Sequence, residues 1–317
     1  MNISLLEPLG IEASMLETFG QELERAGHRF TWYDSKAKDD QELIARSAGQ
    51  EIIMIANSPY SGTVIKANPQ IKLIAVAFTG IDHVDLAACK EQGIVVTNCA
   101  GYSDTAVAEL VIGLVLGVLR KICEGDRVTR SGGTSAGLIG SEIAAKTVGI
   151  VGCGRIGYRT AKLFQAFGAK VLAWGRKPNA EHEREGIEYT SLEQLLRESD
   201  IVSIHLPNTA ETRRMIDAEH LALLKEGALL VNCARGPIVD SEALAQLLKR
   251  GKIAAALDVF DTEPPLADEY VLRDVPHSLL TPHVAFLTKE AMQRRAVIEF
   301  ENVRAFLAGS IKNQCVL

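Results

Sequence analysis

The sequence predicts an α/β protein built from two doubly wound domains, and three observations carry that prediction. Short apolar runs bounded by turn residues alternate with segments of helical spacing along almost the whole chain. That alternation is the pattern of parallel strands covered on both faces by helices. It comes as two series, one ending near residue 99 and one starting at Val148. A length of 317 residues is also enough for two cores.

In the first series, strands are expected at 3–7, 29–33, 52–56, 73–77 and 95–98, with helices such as 15–26 and 41–48 between them. Residues 106–122 are the most apolar segment, yet they include Glu109 and fall short of the roughly 20 residues a membrane span needs. A helix apolar on most faces must be buried all round. It is therefore expected to pack between domains and against a second subunit, which makes a homodimer the expected assembly. The Gly- and Ser-rich stretch 131–140 is the expected mobile or subunit-crossing connection.

The second series places strands near 148–151, 170–174, 200–205, 228–233, 254–259 and 279–281, the six of a complete doubly wound fold. Ser191 and Gln194 resemble a capping box opening the helix that runs to Arg197. A last helix over 288–307 is expected to return to the first domain. The expected division is 1–99 with 286–317 as one domain and 100–285 as the other.

Composition excludes several classes. The chain is 47 % apolar and 23 % charged, ordinary for a soluble globular protein. A net charge of −6 argues against a nucleic-acid or anionic-membrane surface. The amino terminus reads as a first strand and not a signal peptide. Cys89, Cys99, Cys123, Cys153, Cys233 and Cys315 show no C-x-x-C or metal spacing. Several lie in apolar runs and read as small hydrophobes of a reducing compartment, so the expected location is cytoplasmic and no metal is expected.

The strongest motif opens the second series. The strand ending at Val151 runs into Gly152-Cys153-Gly154-Arg155-Ile156-Gly157, and a helical pattern follows. Strand, tight turn and helix are the context in which Gly-x-Gly-x-x-Gly marks a dinucleotide site. Gly152 permits the turn, Gly154 lets backbone approach a pyrophosphate, and Gly157 allows close helix–strand packing. The helix amino end offers N–H groups and a positive dipole to the phosphates. NAD sites usually carry an acid about 20 residues on, holding the ribose 2′-OH. Here the second strand ends in Gly175-Arg176-Lys177, with no carboxylate before Glu181. Arg176 suits a bidentate grip on a 2′-phosphate and Lys177 adds a point charge, so NADP is favoured over NAD.

Ligands of open α/β sheets sit beyond the carboxyl ends of the strands. Reading those ends gives Arg235, Glu263 and His283 after three successive strands of one sheet. Together with Thr79-Gly80-Ile81-Asp82-His83-Val84-Asp85-Leu86, Val107-Ala108-Glu109 and Thr281-Pro282-His283-Val284-Ala285, they resemble the D-isomer-specific 2-hydroxyacid dehydrogenase family over nearly the whole chain. The resemblance implies a Rossmann dinucleotide-binding domain inserted in a flavodoxin-like substrate domain, with the active site in the cleft between them. Arg235 resembles the group that binds the substrate carboxylate and helps polarise the 2-oxo group. His283 resembles the acid that protonates the carbonyl oxygen, and Glu263 its partner. Asp258 resembles a residue near the nicotinamide carboxamide, and backbone N–H groups of Phe78, Thr79 and Gly80 the other support of the carboxylate.

Cofactor contacts are then expected from Gly152, Gly154, Arg155, Ile156, Gly157, Arg176, Lys177, His205, Pro207, Thr212, Cys233, Ala234, Arg235, Asp258 and His283. Asn57 and Tyr60, at a strand end of the first series, are the expected readers of the substrate side chain. The expected reaction is reduction of a small 2-oxo acid to the D-2-hydroxy acid. Gly175-Arg176-Lys177 resembles the hydroxypyruvate/glyoxylate-type members, whereas Phe286 is similar to the D-lactate branch. Two alternatives stay open: a dehydrogenase for formate or phosphite on the same fold, and an NAD(P)H-binding sensor.

Overall fold

The computed structural model describes residues 1–315. It divides into two compact units, Met1–Ser103 with Leu287–Leu317, and Asp104–Phe286.

The first unit is a parallel sheet of β1 (Asn2–Leu5), β2 (Arg29–Trp32), β3 (Ile52–Ile55), β4 (Leu73–Val76) and β5 (Val95–Thr97), in the order β2-β1-β3-β4-β5. That is the flavodoxin-like order. Helices α1 (Ala13–Arg25), α2 (Asp40–Ser47), α3 (Gly62–Ala67) and α4 (Leu86–Glu91) make the crossovers. Strands β3 and β4 are buried at every position, which is why they read as unbroken apolar runs. Side-chain caps start three of these helices, with Asp39, Ser61 and Asp85 accepting from the backbone N–H three residues on.

The second unit begins with α5 (Asp104–Leu119) and α6 (Ile122–Arg130). The single apolar helix expected over 106–122 is thus interrupted: Lys121 takes a left-handed φ of 51° and starts a new helix that buries no residue. The stretch 131–140 forms no helix or strand. Its far end is tied back where Ser141 N–H donates to the Leu119 carbonyl at 2.8 Å.

The sheet that follows has seven strands, not the expected six: β6 (Thr147–Val151), β7 (Lys170–Trp174), β8 (Ile187–Tyr189), β9 (Ile201–Ile204), β10 (Leu229–Asn232), β11 (Ala254–Leu257) and β12 (Ser278–Leu280). All pair in parallel in the order β12-β11-β10-β9-β6-β7-β8. The unanticipated strand β8 is a three-residue edge with one buried side chain, Ile187, too short to show a period. Between the strands lie α7 (Arg155–Ala166), α8 (Ala180–Arg184), α9 (Leu192–Glu198), α10 (Ala218–Ala222) and α11 (Ser241–Lys249). Successive residues of β10 feed opposite layers: Leu230 joins the core with Leu195 and Leu244, Leu229 and Val231 the core with Val111 and Phe164. The cap of α9 is half the expected box: Ser191 accepts from Gln194 N–H, while the Gln194 side chain bonds Thr190 and Glu198.

The final helix, α12 (Lys289–Leu307), belongs to the first unit and packs beside β4. Among the described residues no helix is long and apolar enough to cross a membrane.

Candidate active site

The glycine turn is built by steric exclusion. Gly152 has φ +97°, and a Cβ there would lie 2.7 Å from the His205 carbonyl oxygen. A Cβ on Gly157 would lie 2.2 Å from the Gly152 carbonyl oxygen. Such contacts leave glycine as the residue that fits. Gly154 differs: the space where its Cβ would stand is open. It is the N-cap of α7 and supplies no side-chain cap, so the first-turn N–H groups of Arg155, Ile156 and Gly157 remain for an anion. This open cradle at a helix amino end fits a dinucleotide pyrophosphate. Arg155 itself is exposed, and its Nε donates to Asp104 at 2.8 Å.

Gly175 follows β7 directly, and its Cα faces the turn closely enough that a Cβ would stand 3.9 Å from Cys153 N. Arg176 and Lys177, next in the chain, are exposed. His205 and Pro207 follow β9. The His205 ring bonds the Ser203 hydroxyl at 2.9 Å, and burial pushes its pKa down to about 4. The ring is thus neutral across the ordinary working range. The Thr212 hydroxyl donates to the Pro207 carbonyl at 2.6 Å and closes that loop. Cys233 is buried, which pushes its thiol well up, and Ala234 is partly exposed beside it.

Strands β10, β11 and β12 are neighbours, so the loops after them gather in one place. After β10, Asn232 folds the turn: its side chain accepts from Ala234 N–H at 3.0 Å and donates to the Arg235 carbonyl at 2.9 Å. The half-buried Arg235 guanidinium also donates to the Ala234 carbonyl at 2.8 Å. After β12, His283 Nδ1 lies 2.9 Å from both carboxylate oxygens of Glu263. An ionised carboxylate only accepts, so Nδ1 carries a proton and Nε2 is the nitrogen left to exchange one. The imidazole is 15 % exposed and the carboxylate 68 %, so the ring is the fixed member of the pair. Phe286 packs edge-on against the His283 ring, centroids 5.4 Å apart.

Asp258, expected at the nicotinamide carboxamide, lies under the His283 loop. It is 0 % exposed, and its carboxylate accepts from the Thr281 hydroxyl at 2.6 Å, Val284 N–H at 2.9 Å and Ala285 N–H at 2.8 Å. An enclosed carboxylate with three protein donors holds the His283 loop. Burial pushes its pKa above the usual range despite those donors.

In the first unit, Phe78, Thr79 and Gly80 form the loop after β4. The Asn98 side chain donates to the Thr79 carbonyl at 2.8 Å, and Cys99 N–H donates to the Phe78 carbonyl at 2.9 Å. Phe78 packs edge-on to Tyr102, with the Arg295 guanidinium 5.1 Å from its ring centroid. The Thr79 hydroxyl is buried without a hydrogen-bond partner among the described residues. Sequence reasoning overlooked Asn98, although a polar residue just after β5 satisfies the same strand-end criterion that found Arg235. Tyr60 corrects an expectation: it is 0 % exposed and its hydroxyl lies 2.9 Å from the Ser47 hydroxyl, so it is a core residue and cannot read a substrate. Asn57 is partly exposed and accepts from Lys36 Nζ at 2.7 Å.

Comparison with known proteins bears on this arrangement. Residues 112–285 match a family model described as D-isomer specific 2-hydroxyacid dehydrogenase, NAD binding domain. The chain is 41 % identical over 280 residues to a glyoxylate reductase of Thermofilum pendens, covering 86 % of this chain and 82 % of that protein. It is 40 % identical over 296 residues to a glycerate dehydrogenase of Methylorubrum extorquens, covering 90 % and 91 %. Among solved structures, an acyclic imino acid reductase (Bsp5) in complex with NADPH and D-Arg superposes with a TM-score of 0.90, at 28 % identity and over 100 % of both chains.

Proposed function

The chain belongs to the D-isomer specific 2-hydroxyacid dehydrogenase family, whose members are NAD(P)-dependent oxidoreductases, and on that premise we propose that it uses NADPH to reduce glyoxylate to the achiral glycolate or hydroxypyruvate to the D-2-hydroxy acid. The observation that carries the proposal is the His283–Glu263 pair at 2.9 Å, beside the Arg235 turn on neighbouring strands of one sheet. The nicotinamide ring, when bound, supplies the hydride to the carbonyl carbon.

Arg235 presents a planar fork of donors, suited to a carboxylate and to the adjacent 2-oxo oxygen. His283 Nε2 gives its proton to the carbonyl oxygen as negative charge develops there, and takes it back in the reverse direction. Glu263 accepts from Nδ1 and so leaves Nε2 as the nitrogen that exchanges a proton. Asp258 holds the backbone on which His283 stands. Within the first unit, backbone N–H groups of the Phe78–Gly80 loop are suited to a carboxylate. Phe286 against His283 favours a small substrate side chain.

Arg176 and Lys177, with no acid before Glu181, support NADPH over NADH. A homodimer is supported by α6, which has no fully buried residue within its own chain, and by Ile122 and Ile139, which are 55 % and 89 % exposed. The described cysteines are free, in keeping with a cytoplasmic location. The test is kcat/KM with both cofactors over glyoxylate, hydroxypyruvate, pyruvate and phenylpyruvate. The proposal expects the first two with NADPH to lead. Faster turnover of phenylpyruvate, or a preference for NADH, would contradict it.

A further inference from the structure

Glu263 is 68 % exposed on a long connection, 258–277, that contains no helix or strand. An exposed loop carboxylate does not hold one place beside an imidazole unless something restrains its backbone, because ordering a loop costs entropy. One such restraint lies at the neck of the loop. The Tyr270 hydroxyl accepts from Asp261 N–H at 3.2 Å, donates to the Asp261 carboxylate at 3.1 Å, and lies 3.3 Å from the Ser241 hydroxyl at the start of α11. Its ring meets Phe260 edge-on, centroids 6.0 Å apart. Tyr270 in turn packs on the apolar core of the second unit, where Leu272 and Val275 are buried. Phe260 also presses on the neighbouring turn: a Cβ on Gly236, next to Arg235, would lie 2.0 Å from the Phe260 carbonyl atoms.

We propose that Tyr270 is a positioning residue for the proton-transfer pair, latching Asp261 so that Glu263, two residues on, stays against His283. This rests on the reading of His283 and Glu263 given above. The phenol is suited to the work: burial pushes its pKa up, so it remains a donor across the working range. Tyr270, Asp261 and Ser241 line one cavity of about 560 Å³, so water competes for the latch and its loss is expected to weaken the pairing without abolishing it. The His283 ring faces Glu263 at Nδ1 and the Phe286 ring edge-on, and Asp258 lies buried under its loop. Among these, Glu263 is the group that the latch controls.

The test separates rate from binding. A pair that forms less often slows proton transfer at a given substrate occupancy, so the loss falls on kcat and not on KM. Measured are kcat and KM for hydroxypyruvate, with NADPH affinity, in the wild type, Glu263→Gln, Tyr270→Phe, Asp261→Ala and Asp261→Asn.

Glu263→Gln is expected to lower kcat most. Tyr270→Phe and Asp261→Ala should lower it less, about three- to tenfold at unchanged KM, as loss of one or two partly solvated hydrogen bonds would. NADPH affinity should not change. Asp261→Asn, still an acceptor for the phenol, should keep the wild-type kcat, and Tyr270→Phe added to Glu263→Gln should cost nothing more. A wild-type kcat in Tyr270→Phe, or a Tyr270→Phe loss that persists in full on the Glu263→Gln background, overturns the latch. Should Tyr270→Phe fail to fold, a wild-type kcat in Asp261→Ala overturns it equally. If Glu263→Gln itself leaves kcat in place, the assignment of the pair fails, and that outcome is separate from failure of the latch.

Discussion

His283 stands on a left-handed backbone, φ 54°, a conformation that non-glycine residues seldom adopt. Its own N–H donates to the Asp258 carbonyl at 2.8 Å, and the Asp258 carboxylate takes the next two backbone N–H groups. A buried network thus fixes a strained residue whose side chain must meet a reacting atom. His205, neutral because burial pushes its pKa down to about 4, adds no limb to a rate profile between pH 5 and 8. At the adenosine end, the claim is a grip on a 2′-phosphate by Arg176. Arg176→Asp should lower the NADPH/NADH ratio of kcat/KM by about 10- to 100-fold, the range of one charge-assisted hydrogen-bond pair replaced by repulsion. An unchanged ratio would remove Arg176 from that role.

At the level of elements, the junction of β6 and α7 depends on atoms that are absent. Gly157→Ala would place a methyl 2.2 Å from the Gly152 carbonyl oxygen, a backbone atom that cannot step aside. Helix α7 must then tilt off the turn. Expected are a lower melting temperature and NADPH binding weakened by about tenfold or more, read by titration of cofactor fluorescence. On α12, Glu299 is 0 % exposed, and its carboxyl oxygens have no hydrogen-bond partner among the described residues. Burial pushes its pKa well above the ordinary range. The unfolded chain therefore binds fewer protons than the folded one as pH rises past 4.5, and stability is lost over that rise. Glu299→Gln should raise the melting temperature, and by more at pH 8 than at pH 5; an equal change at both would refute the assignment.

These elements show what a sequence displays and what it hides. The glycine turn is legible because each glycine answers a steric demand within a few residues. Buried strands such as β3 and β10 are legible because both faces are apolar. Strand β8 has three residues and no period to detect. Lys121 breaks an apolar helix through its backbone angle, which composition does not record. Tyr60 satisfies the strand-end criterion, yet its ring turns inward to Ser47, and the direction a loop side chain takes depends on packing far along the chain. The part Asp258 plays in holding the His283 loop is hidden in the sequence, since its three donors come from residues 23 to 27 positions away.

At the level of the molecule, two parallel sheets are wound from one chain, the first unit being completed by α12 after the second has closed. In the second unit, the neighbouring order β12-β11-β10 is what brings an arginine, a carboxylate and an imidazole together from positions far apart in sequence. Helix α6 has no fully buried residue in its own chain. A dimer should show about twice the chain mass of 34.3 kDa by light scattering, and Ile139→Asp should shift it toward one chain mass. A monomeric wild type would end the dimer proposal.

The central claim is that His283 supplies the proton that completes reduction of a 2-oxo acid. Its most direct test is kcat/KM for hydroxypyruvate with NADPH in His283→Ala, with NADPH affinity measured on the same preparation. The predicted result is a loss of about 10²- to 10⁴-fold in kcat/KM at unchanged cofactor affinity. Turnover within a few-fold of the wild type would contradict the account.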